Sequence, residues 1–155
     1  MKRIKERIGD IIEIHVHGKY YCYAQIIPNA QYAFFDFKKD EPLRDFSILD
    51  NCKILFVICV YRYVLKEGIW RIVGNNSIRE DLLSVRMKYI YDKHKDKFQL
   101  YNPETGEITP ATKEMARGLE RCSVWGDNHV EDRLYDHYLN RPCIWLKEEY
   151  DLWKE

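Results

Sequence analysis

Hydrophobic and polar residues alternate near the start of the chain. Ile12, Ile14 and Val16 fall on one side, and Glu13, His15 and His17 fall on the other. That period of two predicts a strand with one face in a core. Gly18-Lys19 fits a two-residue turn with glycine at its first central position, so the chain should return as a second strand through Ile27. In that register His17 pairs with Tyr20, Val16 with Tyr21, His15 with Cys22, Ile14 with Tyr23 and Ile12 with Gln25.

The alternation continues after Pro28-Asn29 with QYAFFDF, a third strand, and the polar stretch 38–50 with Pro42 reads as a loop. ILFVICVY at 54–61 opens a buried strand reaching about Tyr63. Gly68 then marks a turn before IWRIV, which Gly74-Asn75-Asn76 ends. MKYIY and KFQLY are two more strands, separated by the charged turn DKHKDK. Beyond NPETGE the period becomes helical. Thr109-Pro110 is predicted as an N-cap and first helical residue, with Met115, Leu119 and Cys122 at helical spacing. A second helix is expected from Asn128 as N-cap, Glu131 three residues on, and a stripe of Val130, Leu134 and Tyr138. CIWLKEEYDLW, at the end, fits a strand or a terminal helix equally well.

These elements predict an α+β fold: a strongly bent antiparallel sheet or small, partly open barrel at the N-terminal side, followed by C-terminal helices. A length of 155 residues suits one domain over 1–155, strand-rich at 8–101 and helical at 109–155. Hydrophobic residues at 46% and charged residues at 32% are globular proportions, and 14% aromatics favour strands. The longest apolar run is far below the roughly 20 residues a membrane-spanning helix needs. The charged opening MKRIKERIGD lacks the apolar stretch of a signal peptide, and the 5 cysteines match no zinc or CxxC spacing. A reduced, cytoplasmic protein is expected.

With 25 basic and 25 acidic residues, the chain has no overall field to draw nucleic acid or an anionic membrane. The charges are nevertheless segregated, with a basic excess over residues 51–100 and an acidic excess over 101–155. Asp127, Asp132 and Asp136 cluster near the second helix, where Asp132 and Asp136 are spaced to share its outward face. Like charges at that spacing mildly oppose a helix, so the three are candidates for contact with a basic partner. Glu131 is explained as a capping-box residue.

The candidate chemistry is sparse. Across the predicted hairpin His15, His17 and Cys22 converge on one face and could hold zinc or a similar ion, although a solvent-facing strand surface explains them better. His129 and His137 do not share a helix face well enough to join them. Neither a GxSxG elbow nor a phosphate-cradling GxGxxG or GxxxxGKS loop occurs. Aromatics interleaved with lysines in RMKYIYDKHKDKF could stack single-stranded nucleic acid, but the sheet needs those rings for its own core.

Gly9-Asp10 before the first strand, the tyrosine-rich strand Tyr20 to Ile27, Phe34 to Asp36, and the tryptophan strand Trp70 to Gly74 together form a pattern. It resembles the immunity protein 26 family of bacterial polymorphic toxin systems. The resemblance implies a cytoplasmic, non-catalytic antidote that binds and neutralises a cognate toxin, with no cofactor. It also implies that Gly9, Asp10, Tyr23, Gln25, Phe35, Asp36, Trp70 and Gly74 are scaffold. On this reading neither nucleic acid, a membrane nor a small-molecule substrate is a partner. The rival readings are a metal-dependent enzyme built on His15, His17 and Cys22, and a small-barrel nucleic-acid-binding module.

Overall fold

The computed structural model describes residues 5–154, so residues 1–4 of the charged opening, and residue 155, lie outside it. Strands β1 (Asp10–Val16), β2 (Tyr20–Ile27), β3 (Gln31–Lys39) and β4 (Ile54–Val60) form an antiparallel meander. The long apolar run does not stay extended to Tyr63. It ends at Val60, and a single helical turn, α1 (Tyr63–Lys66), buries Val64 and Leu65 before Gly68 reverses the chain at φ +72°. The backbone then crosses the sheet and returns as β5 (Arg71–Asn75), antiparallel to β1 on its far side.

A second sheet follows, β6 (Lys88–Asp92), β7 (Lys97–Tyr101) and β8 (Ile108–Ala111), then the helical turn α2 (Lys113–Ala116), the short strand β9 (Val124–Trp125), α3 (Asp127–Tyr138) and α4 (Lys147–Leu152). β9 pairs in parallel with β4, so the first sheet is mixed, with strand order β5-β1-β2-β3-β4-β9. The fold is α+β as expected. The anticipated barrel does not form, because β5 adds to β1 and β9 to β4, and these two edge strands do not meet.

The first hairpin is one residue out of the predicted register. His17 and Gly18 both take positive φ (+49° and +67°), and the Lys19 N–H reaches the Val16 carbonyl at 2.9 Å. The loop is therefore His17-Gly18-Lys19, and Val16 pairs with Tyr20, His15 with Tyr21 and Ile14 with Cys22. A one-residue slip moves every side chain of the partner strand to the other face. Cys22 thus joins Ile14 in the core, while Tyr21 and Tyr23 lie on the side of His15 and Glu13.

That second side of the sheet is covered as well, so β1 is not half-exposed. Ile12, Ile14, Phe34, Phe56 and Trp70 pack beneath α1 and α3, while Ile11, Tyr23 and Phe35 pack against Leu49 of the 38–52 segment. The predicted helix at Thr109-Pro110 is likewise replaced. Both residues lie in edge strand β8, where proline's missing donor is tolerated, and Thr112 is the residue that caps, accepting from the Met115 N–H. α2 lasts one turn and Met115 is exposed, so the Met115/Leu119/Cys122 stripe does not form.

β9 covers only the Cys59-Val60 end of β4. Farther along that edge, the buried Lys88 ammonium donates to the Val57 carbonyl at 2.6 Å. An inward-pointing charge of this kind blocks edge-to-edge pairing with another strand. Burial pushes the Lys88 pKa down, opposed first by the charge of Glu120.

Candidate partner interface

The motif residues meet at one corner of the first sheet. Gly9, at φ +93°, sits where a Cβ would come 2.7 Å from the Asn76 carbonyl, so the position requires glycine. Its N–H donates to the Ile26 carbonyl and its own carbonyl accepts from Asn76. Buried Asp10 accepts from the Arg7 N–H at 2.8 Å and from the Asn75 side chain at 3.0 Å. Gln25 donates to the carbonyls of Asn76 and Gly9. Beside them Tyr23 donates to Glu13 at 2.9 Å and accepts from the Leu43 N–H, while Arg71 closes the ion pair with Glu13 at 3.1 Å. Burial pushes the Tyr23 phenol pKa well up.

The rest of the motif also faces inward. A Cβ on Gly74 would press against the Phe46 ring, Phe35 is buried, and Trp70 meets Phe34 edge-on while its indole N–H points to Glu131 at 3.4 Å. Asp36 accepts from the Tyr138 hydroxyl and lies 3.5 Å from His137. These side chains link strands and helix, with 36% of the Asp36 side chain left exposed.

The three metal candidates do not converge. His15 stacks on Tyr21 at 4.2 Å, on the opposite side of the sheet from the fully buried Cys22. His17 sits in the loop, its Nε2 3.0 Å from Asp132 and its ring edge-on to Tyr135. Burial raises the Cys22 thiol to about 12, against the lowering effect of Lys38. Among the described residues no group of three or more His, Cys, Asp or Glu side chains is placed to hold a metal ion.

The acidic helix is also committed internally. α3 begins two residues earlier than predicted, with Gly126 at the cap and no side-chain capping bond. Glu131 is therefore no capping-box residue and instead accepts from the His17 N–H at 3.1 Å and from Trp70. Asp127 accepts from the Tyr63 hydroxyl at 2.9 Å. Asp136 does not face outward. It is 5% exposed, holds Arg141 at 2.6 Å and accepts from the Ile144 N–H, tying the loop after α3 to the helix.

Asp132 leads to a feature that sequence reasoning missed. It accepts from the Trp145 indole N–H at 2.8 Å, and Trp145 packs on His129 with ring centroids 4.1 Å apart, yet 47% of the tryptophan remains exposed. Below it lies a groove of about 440 Å³ between β9, α3 and α4, lined in part by Val124, Trp125 and Leu146. Glu120, Glu148 and Glu149 rim the groove, with Arg121 paired to the last two. The one available signal was the terminal stretch CIWLKEEYDLW. It folds as a short helical turn followed by α4, which leaves Ile144 and Trp145 outward.

The buried carboxylates of the sheet corner are thus each matched to donors, and an aromatic groove lies between β9, α3 and α4. The family model for Immunity protein 26 matches residues 7–100, more than half of the chain, and the chain belongs to that family. No curated protein and no solved structure matches it.

Proposed function

We propose that this protein is the immunity component of a bacterial polymorphic toxin system, binding a cognate toxin domain in the cytoplasm as one stoichiometric, non-catalytic inhibitor folded as a single domain over 1–155. The family match over residues 7–100 carries this reading. The geometry supports it, since the motif residues are consumed in holding the sheet. No helix among the described residues is long and apolar enough to cross a membrane. Asp127 and Asp132 keep partial exposure and belong to the proposed contact region, whereas Asp136 acts beneath it.

The test is capture of tagged protein from its native cell. One macromolecule should be recovered in equimolar amount, it should be a protein, and it should arrest growth when expressed alone and not when this chain is co-expressed. Recovery of nucleic acid, or of a partner that is harmless by itself, overturns the reading.

A further inference from the structure

The geometry points to a docking site, and the inference rests on the immunity reading. We infer that the groove between β9, α3 and α4 receives an arginine- or lysine-bearing segment of the cognate toxin, seated against Trp145. Three observations converge there.

The first is pre-organisation. Trp145 is held by Asp132 through its indole N–H and by His129 through its ring. A half-exposed tryptophan already fixed in one orientation loses little freedom on binding, which is the property of an interface anchor. Its neighbours extend an apolar surface, with Ile144 68% and Val124 47% exposed.

The second is charge. Three carboxylates line the groove; Glu120 is paired with Arg133 and Arg121 bridges Glu148 and Glu149, so the rim keeps a net negative charge. A cationic side chain is attracted both by this rim and by the face of the indole ring. Every residue lining the groove comes from the acidic stretch 101–155.

The third is an incomplete hydrogen-bond inventory. Glu149 lines the groove and spends Oε1 on Arg121, but its Oε2 is buried with no hydrogen-bond partner among the described residues. Buried carboxylate oxygens are costly to leave unsatisfied, and because this one is closed to solvent in the free protein, an arriving guanidinium or ammonium reaches it as the Glu149 side chain turns toward the groove.

The larger groove along β4, about 680 Å³, is less suited. Arg79 fills it with bonds to Asp81 and to the Asp50 and Cys52 carbonyls, and Lys88 occupies the neighbouring strand edge.

A nitrogen-15 NMR titration tests the site with hexa-arginine and hexa-glutamate peptides as probes, read on the indole N–H signals of the 4 tryptophans. The Trp145 signal, absent in Trp145→Ala, should move with hexa-arginine and not with hexa-glutamate. Glu148→Gln, at an exposed position, should weaken the response, and Glu148→Lys should weaken it further. With the toxin recovered by capture, Trp145→Ala should raise Kd roughly tenfold or more, whereas Arg86→Glu in the β4 groove should not. A Trp145 signal indifferent to hexa-arginine, or toxin affinity unchanged in Trp145→Ala, overturns the groove and leaves the immunity reading standing. Failure to recover any toxin ends both.

Discussion

The two ends of this molecule handle polar groups in opposite ways. At the corner where β1, β2 and β5 meet, Asp10, Glu13 and Gln25 are buried, and each is matched to donors or acceptors from the other strands and their flanking loops. At the α3–α4 end Asp136 is likewise buried and matched, but a tryptophan is half exposed, an isoleucine is mostly exposed, and one Glu149 carboxylate oxygen is buried with no partner among the described residues. A buried polar network in which every member is satisfied specifies one arrangement of strands. An incomplete one beside exposed aromatic surface leaves something for another molecule to complete. Stability and recognition should therefore respond to substitution at different ends.

The largest effect should come from Trp70→Ala. Trp70 is 2% exposed and touches both Phe34 and Glu131, so its loss leaves a cavity beneath α3 and should cost about 3–5 kcal/mol in urea unfolding. A loss below about 1 kcal/mol would show that the sheet-to-helix layer is not the stabilising core. Gly9→Ala comes next, at roughly 1–3 kcal/mol, because alanine must adopt a positive φ and its Cβ meets the Asn76 carbonyl. If Gly9→Ala melts at the wild-type temperature, the corner is not under the constraint described.

Alkaline pH probes the same core less severely. Burial raises the Cys22 thiol and the Tyr20 phenol each to about 12 in the folded protein, above their ordinary values of 9.0 and 10.0. Both groups stay protonated in the fold while the unfolded chain ionises. Their stabilisation is complete below pH 9 and declines as pH rises from there through about 12. Urea midpoints should fall over that window, and Cys22→Ala should flatten the fall. An identical slope in the variant would place Cys22 outside the titrating core. The smallest change in stability belongs to Trp145→Ala, about 1 kcal/mol or less, since the ring is half exposed and loses one hydrogen bond and one stacking contact. A melting temperature collapsed by that substitution would make Trp145 a core residue.

The same contrast governs what the sequence made legible. Alternation located β1 to β3, because burial on a pleated surface leaves a period of two. The hairpin register was not readable, since it depends on His17 adopting φ +49°, which histidine does not advertise. Its consequence was large, for it separated Cys22 from His15. Thr109-Pro110 carried a helix-start signal and became an edge strand because β7 offered a partner there. The stripe of Val130 and Leu134 was legible, but the fate of the acidic residues around it was not. Their partners, Tyr63, His17, Trp145 and Arg141, come from other elements and loops, and periodicity on one helix carries no such information.

The central claim is inhibition by one-to-one binding, and a titration of the recovered toxin's activity with this protein addresses it most directly. Toxin activity should fall linearly and reach zero at equimolar protein, with a one-to-one complex by native mass spectrometry. Toxin activity that persists in molar excess, or that is abolished by a small fraction of an equivalent, would contradict it.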